Sequence, residues 1–234
     1  TVNIQGNTVM QSLKDLISQL EDISNKDIIL KMDSLIREGV IEILGSGYFS
    51  SVYLHKESNK TIKILKDMGT MDFYVHIMNN PDKSMPKIHH VSCNYSNTFC
   101  IITSDPYQEM STIIEQGVLD TGIYRASVIL SESLFCMIEE DSDIILKNKI
   151  YNCFVDRWKE SIEEMHILCR EDINKCFTHE RLRQIFDGFW YAKKFILKNP
   201  KFNLDIKHYN FMVNDGRIIF NDPVWNRHYS MHGF

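Results

Sequence analysis

Apolar side chains recur every three or four residues at Val9, Met10, Leu13, Leu16, Ile17 and Leu20, which predicts an amphipathic helix within residues 8–24. Ile28, Ile29, Met32, Leu35 and Ile36 repeat the pattern, and Gly39 stands where a helix C′ residue belongs. The period then shortens. Val40–Leu44, Ser51–His55 and Thr61–Leu65 read as three strands, the first two joined by a glycine-rich turn and the third set off by Glu57-Ser58-Asn59-Lys60. Residues 70–79 are helical again. Pro86–His90 and Phe99–Thr103 read as two further strands, leading to Ser104-Asp105-Pro106-Tyr107. Beyond Met110 the pattern is helical, with one segment carrying Tyr124, Val128 and Leu134. A second runs through Tyr151, Phe154, Val155, Trp158, Ile162, Met165 and Cys169, and a third through Leu182, Ile185, Phe186, Phe189, Trp190 and Ile196. Finally, Phe211-Met212-Val213 and Arg217-Ile218-Ile219-Phe220 flank Asn214-Asp215-Gly216, whose Asp-Gly step suits the positive-φ positions of a hairpin turn.

Strands followed by helices predict an α+β architecture. The expected division is an N-terminal helical extension over residues 1–38, a strand-rich lobe over 39–105 and a minimal helical lobe over 106–234. The extension either packs on the lobe that follows or serves as a partner-binding arm. With 234 residues, 44% hydrophobic and 24% charged, the chain has the composition of a globular protein with a sizeable core. A net charge of −5 disfavours non-specific nucleic-acid binding. No apolar run approaches a membrane span, and neither a signal nor a transit pattern opens the chain, so a cytoplasmic protein is expected. Cys93, Cys100, Cys136, Cys153, Cys169 and Cys176 show no paired CxxC spacing and are expected as reduced, mostly buried thiols. The adjacent His89 and His90 read as structural rather than metal-binding.

Candidate chemistry gathers around the hairpin. Asp205 and Asn210 stand five residues apart with Lys207 between them, and the second hairpin strand delivers Asp222. Folding at the turn can bring two carboxylates, an amide and an ammonium to one end of a small sheet, a set suited to Mg²⁺ and a nucleotide's phosphates. A second set lies upstream. In Gly45-Ser46-Gly47-Tyr48-Phe49-Ser50 the glycines let the backbone close over a phosphate and offer it N–H donors. In Thr61-Ile62-Lys63-Ile64, alternation sets Lys63 on the face opposite Ile62 and Ile64, which favours it over the competing Lys66.

Taken in order, the glycine loop, the strand lysine, Asp205-x-Lys207-x-x-Asn210 and the hairpin Asp222 resemble the nucleotide site of the protein kinases. The likeness is nearest to the early Ser/Thr protein kinases of T7-like bacteriophages. These share Gly-x-Gly-x-Phe-Ser and an Asp-Pro-Val stretch with a nearby Trp, here Asp222-Pro223-Val224 and Trp225. The resemblance covers about residues 40–107 and 180–226. It implies a protein kinase-like two-lobed fold and ATP-dependent transfer of the γ-phosphoryl group to protein hydroxyls. A phage enzyme of this kind would act on host proteins, with no nucleic-acid or membrane partner.

The resemblance also implies roles. Asp205 orients the acceptor hydroxyl and takes its proton, and Lys207 offsets charge on the γ-phosphate. Asn210 and Asp222 hold Mg²⁺, and Lys63 grips the α- and β-phosphates. Gly45, Ser46, Gly47, Tyr48, Phe49 and Ser50 cover the phosphates, while Asp105 and Tyr107 belong to the hinge beside the adenine. The chain departs from the pattern in several places. Ser50 replaces the third glycine, and the helix over 70–79 has no Glu to pair with Lys63, Asp72 being the nearest acid. No Ala-Pro-Glu segment follows Asp222, and no further C-terminal domain is expected. Two rival readings share the order: a small-molecule kinase of the aminoglycoside or choline type, which usually carries His at the Lys207 position, and a pseudokinase that binds a partner through its fold.

Overall fold

In the computed structural model, which describes residues 12–47, 50–94, 96, 98–139 and 141–226, Ser12 opens the first helix. Its hydroxyl accepts from the Asp15 N–H at 3.2 Å, the usual service of an N-cap serine. The helix α1 (Leu13–Asp22) is followed by α2 (Ile28–Arg37). Gly39, at φ 75°, ends α2 as expected. Its N–H and that of Val40 donate to the carbonyls of Ile36 and Leu35, both at 3.0 Å, which satisfies two of the helix's last acceptors. Val9 and Met10, expected on the first helix, lie outside the described residues.

The chain divides into two compact units, Thr1–Asn79 with Lys87–Pro106 and Asn80–Pro86 with Tyr107–Phe234. The first contains β1 (Ile41–Ser46), β2 (Ser50–His55), β3 (Lys60–Leu65), α3 (Met71–Asn79), β4 (Ile88–Cys93) and β5 (Cys100–Ser104). The strands form one antiparallel sheet in the order β1-β2-β3-β5-β4. Period-two alternation sorts its side chains. Ile41, Ile62, Ile64 and Ile101 pack with Leu16, Ile17, Leu20, Ile28, Met32 and Leu35 of the two helices. Leu65, Cys100 and Ile102 cluster with Tyr74 of α3.

Burying an aliphatic side chain is worth about 1.5–3 kcal/mol, so the six buried helix positions together supply on the order of 10 kcal/mol as an upper figure. That equals the whole net stability of a typical domain. The two helices are therefore integral to this unit's core. Polar contacts add to the join: His90 Nε2 lies 3.2 Å from Glu21 Oε1, and the Asn94 amide donates to the Ile23 carbonyl at 3.3 Å.

The second unit holds β6 (Gln108–Glu109), α4 (Gln116–Ile129), α5 (Ile144–Glu163), α6 (Ile167–Cys176) and α7 (His179–Lys198). After them come β7 (Phe202–Leu204), β8 (Phe211–Asn214), β9 (Arg217–Phe220) and β10 (Val224–Asn226). The strands make two small sheets, β6-β8-β9 and β10-β7. The α+β organisation expected from the pattern is present, with a strand-rich unit preceding a helical one in the chain.

Two helical details and the exposure of the cysteines differ from the sequence reading. Tyr124 is exposed, because α4 buries Leu119, Gly122, Ile123, Ala126 and Ile129, a face rotated away from it. The segment drawn through Tyr151 to Cys169 is two helices, since α5 ends at Glu163 and α6 restarts beyond His166. The cysteines are all free, but only Cys100 is buried, and Cys136, Cys153 and Cys169 face solvent.

The helix α7 carries the core of the second unit. Its Phe186 stacks on Phe154 of α5 at 5.9 Å, and its Phe189 meets the rings of Phe211 and Phe220 at 5.9 and 5.1 Å. Gly188 lets α7 lie close against β9, for a Cβ there would come within 3.0 Å of the Phe220 Cβ. This packing fixes the β8–β9 hairpin that leads into Asp222.

Candidate functional site

The hairpin turn forms as its Asp-Gly step suggests. Asp215 and Gly216 have φ of 48° and 75°, and Asn214 pairs with Arg217 across a two-residue loop. Phe211 and Phe220 face each other at the base with rings stacked at 4.4 Å. The strand β7 pairs antiparallel with β10, which sets Leu204 opposite Val224. Asp205 and Asp222 therefore lie at the same end of this pair. Two backbone hydrogen bonds lock the arrangement on either side of Asp222: the Asn221 N–H donates to the Asn210 carbonyl at 2.7 Å, and the Asp205 N–H to the Pro223 carbonyl at 2.8 Å.

Within this loop Asn210 is buried, and its Nδ2 donates to the Asp205 carbonyl at 2.8 Å. Lys207 Nζ stands 3.3 Å from Asp205 Oδ1. A hydrogen bond with Tyr209 holds the Lys207 ammonium above its ordinary pKa, burial pushes the other way, and the Asp205 carboxylate adds to the upward side. Lys207 is thus a fixed positive charge beside a carboxylate. Asp205, Lys207, Asn210 and Asp222, named from the sequence, come together here.

A divalent cation fits this donor set. Because the Asn210 amide nitrogen is committed to the Asp205 carbonyl, its oxygen is the side-chain atom left to face a ligand. An amide oxygen and the Asp222 carboxylate are hard donors of the type Mg²⁺ takes, and Mg²⁺ usually completes its shell with phosphate oxygens and water rather than an all-protein cage. Among the described residues no group of three or more His, Cys, Asp or Glu is placed to hold a metal.

The upstream candidates all belong to the first unit except Tyr107, which opens the second. The strand β1 extends further than expected, since Gly45 pairs with Val52 and Ser46 with Ser51 beyond an irregularity between Ile43 and Gly45. Gly45 and Ser46 are thus part of the ladder rather than of the turn. A Cβ on Gly45 would meet nothing within 4 Å, so its surroundings are open, and the Gly47 N–H donates to the Ser50 carbonyl at 2.7 Å. Tyr48 and Phe49 lie outside the described residues.

Lys63 sits where alternation puts it, opposite Ile62 and Ile64, and is buried, whereas Lys66 is exposed. Its Nζ donates to the Tyr74 hydroxyl of α3 at 2.8 Å. Asp72, the acid considered for this pairing, is exposed on the same helix.

Asp105 follows β5 and sits in a polar cluster. Lys60 Nζ and His89 Nε2 both contact its Oδ1, the latter at 2.7 Å, and its N–H donates to the Lys87 carbonyl at 3.3 Å. Burial pushes the Asp105 carboxyl up, but Lys60 and His89 outweigh it and hold the group below its ordinary value. Its side chain and N–H are therefore engaged within the first unit, with His89 as one of its partners.

Two contacts were not legible in the sequence. Tyr74 reads as an ordinary apolar-face residue, and only its place one helical turn after Met71 on the covered sheet face marks it as a partner for Lys63. His208 Nδ1 lies 2.8 Å from Asp120 Oδ1, tying the loop between Lys207 and Asn210 to α4. Nothing in local spacing pairs residues so far apart.

No helix among the described residues is long and apolar enough to cross a membrane. No protein-family model matches the chain, and no curated protein does. Among solved structures, the streptomycin–ATP–APH(2")-IIa ternary complex aligns at 17% identity over 88% of this chain and 74% of that one, with a TM-score of 0.31. The GDP and kanamycin complex of APH(2")-IIia aligns at 13% identity over 78% of this chain and 69% of that one, with a TM-score of 0.30.

Proposed function

We propose that this chain is an ATP-dependent phosphotransferase that delivers the γ-phosphoryl group to an acceptor hydroxyl. The supporting observation is the loop in which Asp205 and Asn210 are bound by backbone hydrogen bonds to Pro223 and Asn221, the residues flanking Asp222, with Lys207 held between them. Asp205 orients the acceptor hydroxyl and takes its proton. Lys207, 3.3 Å from that carboxylate, offsets negative charge on the transferring group. Asn210 and Asp222 hold Mg²⁺, which when bound neutralises phosphate charge. Lys63 holds the α- and β-phosphates, with Gly45, Ser46, Gly47 and Ser50 offering backbone contacts to them. Catalysis of this kind is positioning and electrostatics, so rigid attachment of the loop is what the chemistry requires.

The acceptor we assign is a protein Ser or Thr hydroxyl, as in the T7-like phage kinases, with host proteins as the substrates. Lys207 matches protein kinases in general, whereas small-molecule kinases of the same loop order usually carry His there, as the T7-like kinases themselves do. A hydroxyl of an aminoglycoside-type small molecule is the second acceptor class, and the same assay separates the two. Labelled ATP and Mg²⁺ are supplied with a bacterial lysate in one arm and with kanamycin or streptomycin in another, each beside Asp205→Ala. Labelled lysate proteins, lost in the variant, support the protein-kinase reading. A labelled aminoglycoside transfers the assignment to the second class. ATP binding without transfer in either arm means a pseudokinase, and transfer surviving Asp205→Ala overturns the assigned chemistry.

A further inference from the structure

A second concave site lies wholly within the second unit, apart from the Asp205–Asp222 loop. It is a cleft of about 500 Å³ between the loop before β4, the start of α5, the first half of α7 and the start of β9. Four cations line it: Lys83, Lys147, Arg183 and Arg217. Two carboxylates, Glu180 and Asp187, oppose them. In a chain whose net charge is −5 this local excess of positive charge is a reversal of sign, not the spill-over of a generally basic surface.

The bland account is that the cations exist to neutralise Asp187, whose side chain is only 10% exposed. Lys147 Nζ lies 2.7 Å from Asp187 Oδ1, in ion-pair contact without the alignment of a hydrogen bond, and Arg183 Nε is 3.4 Å from the same oxygen. Those two already exceed one carboxylate's charge. Arg217 Nη2 stands 3.9 Å from Oδ2, and Lys83 is a fourth cation at the rim. Glu180 is engaged sideways, accepting from the Gln184 amide at 3.2 Å.

Both guanidiniums are also held in place by neutral partners. Arg183 Nη2 donates to Asn148 Oδ1 at 3.0 Å and stacks over the Tyr151 ring at 4.5 Å, while Arg217 Nε donates to the Lys83 carbonyl at 3.1 Å. A guanidinium has five N–H donors, so each keeps donors for another acceptor after these contacts. Fixed, partly desolvated forks flanking a cleft are the arrangement that recognises a phosphate-type anion with bidentate geometry.

We propose that this cleft binds a phosphate dianion, held by Arg183 and Arg217 with Lys83 at the rim, as a site separate from the proposed nucleotide-binding residues. The anion is carried either by a small phosphate compound or by a phosphorylated peptide.

The test is calorimetric titration of the whole chain with inorganic phosphate, pyrophosphate, and a short phosphoserine peptide beside its serine counterpart, at constant ionic strength. Lys63→Ala and Asp222→Ala remove groups assigned to the nucleotide. Arg183→Gln probes the cleft directly. Lys83→Gln does so at an exposed position without touching the Asp187 cluster, so it keeps the question open to refutation if Arg183→Gln unfolds. Saturable binding that survives Lys63→Ala and Asp222→Ala, and weakens at least fivefold in Lys83→Gln, supports the site. Tighter binding of pyrophosphate names a small carrier, and tighter binding of the phosphoserine peptide names a peptide. No saturable binding, binding lost with Lys63→Ala or Asp222→Ala, or an unchanged affinity in Lys83→Gln overturns it.

Discussion

Asn210 links the fold to the proposed chemistry, and its replacement separates the two contributions. The residue is 5% exposed, and its side chain donates to the Asp205 carbonyl at 2.8 Å. Asn210→Ala removes that bond. Losing a hydrogen bond costs about 0.5–1.5 kcal/mol, and leaving a buried acceptor without a partner raises the cost to about 1–3 kcal/mol. Asp205 is partly exposed, so water recovers some of this, and about 1.5 kcal/mol is the expected loss. With a urea m-value of about 2–3 kcal/mol per molar, the unfolding midpoint falls by about 0.5–0.75 M.

The more discriminating variant is Asn210→Asp. It keeps an oxygen able to face a cation but replaces the donor with a carboxylate turned toward the Asp205 carbonyl. The charged form of that new group is disfavoured in the folded state, so its folded pKa lies above its unfolded value. The sign follows: the destabilisation is greatest well above the folded pKa and shrinks as pH falls through it. Asn210→Asp is therefore at least as unstable as Asn210→Ala near pH 7 and gains on it below about pH 5. Urea melts of both variants across that range measure the difference directly. An Asn210→Asp protein as stable as the parent at neutral pH would refute the claim that the amide nitrogen holds the loop.

Other perturbations probe separate parts of the molecule. Gly122→Ala would place a Cβ 2.1 Å from Cε2 of the buried Phe177, so a loss of about 3 kcal/mol is expected in urea melts, relieved in part by adding Phe177→Leu. Asp222→Ala abolishes phosphoryl transfer while its circular dichroism and urea midpoint stay near the parent's; near-normal turnover would remove Asp222 from the metal role. Lys63→Ala lowers initial rates far more than Asp72→Ala, because Lys63 is buried on the α3-facing side of the sheet and Asp72 is exposed; equal losses would assign Asp72 the missing helix carboxylate. Asp105 contributes stability above the ordinary carboxylate range that is lost as pH falls through its lowered pKa, so Asp105→Asn flattens the acid limb of the stability curve, by no more than about 1 kcal/mol for an ion pair this exposed.

Legibility in the sequence followed the range over which each feature is determined. Period-two alternation settled the face of Lys63 without any tertiary knowledge, because neighbouring strand residues must point to opposite sides. The Asp215-Gly216 turn was equally local, since positive φ at both positions is a property of those two residues. The six residues from Asp205 to Asn210 were legible through the order Asp-x-Lys-x-x-Asn and its resemblance to the protein-kinase loop, since that spacing alone says little. Helix boundaries were less legible. The apolar residues on both sides of Glu163 fit one continuous stripe, so nothing in the period reveals that α5 stops there and α6 restarts.

Least legible were sites assembled from distant pieces. Arg217 and Lys83 meet across 134 residues, and Arg183 and Lys147 enter the same cleft from two different helices. Each residue reads alone as a solvated surface charge, which is what most lysines and arginines are. Arg183 and Asp187, one helical turn apart, form a pair that spacing can suggest, and by itself that pair points to an ordinary helix ion pair. The folded chain changes the meaning of these residues by sending Asp187 inward and drawing more cations around it than it can neutralise. A buried carboxylate of this kind holds its cations in fixed positions, so the charge it leaves uncompensated is already ordered for a second anion, and that anion need not bear the cost of organising it.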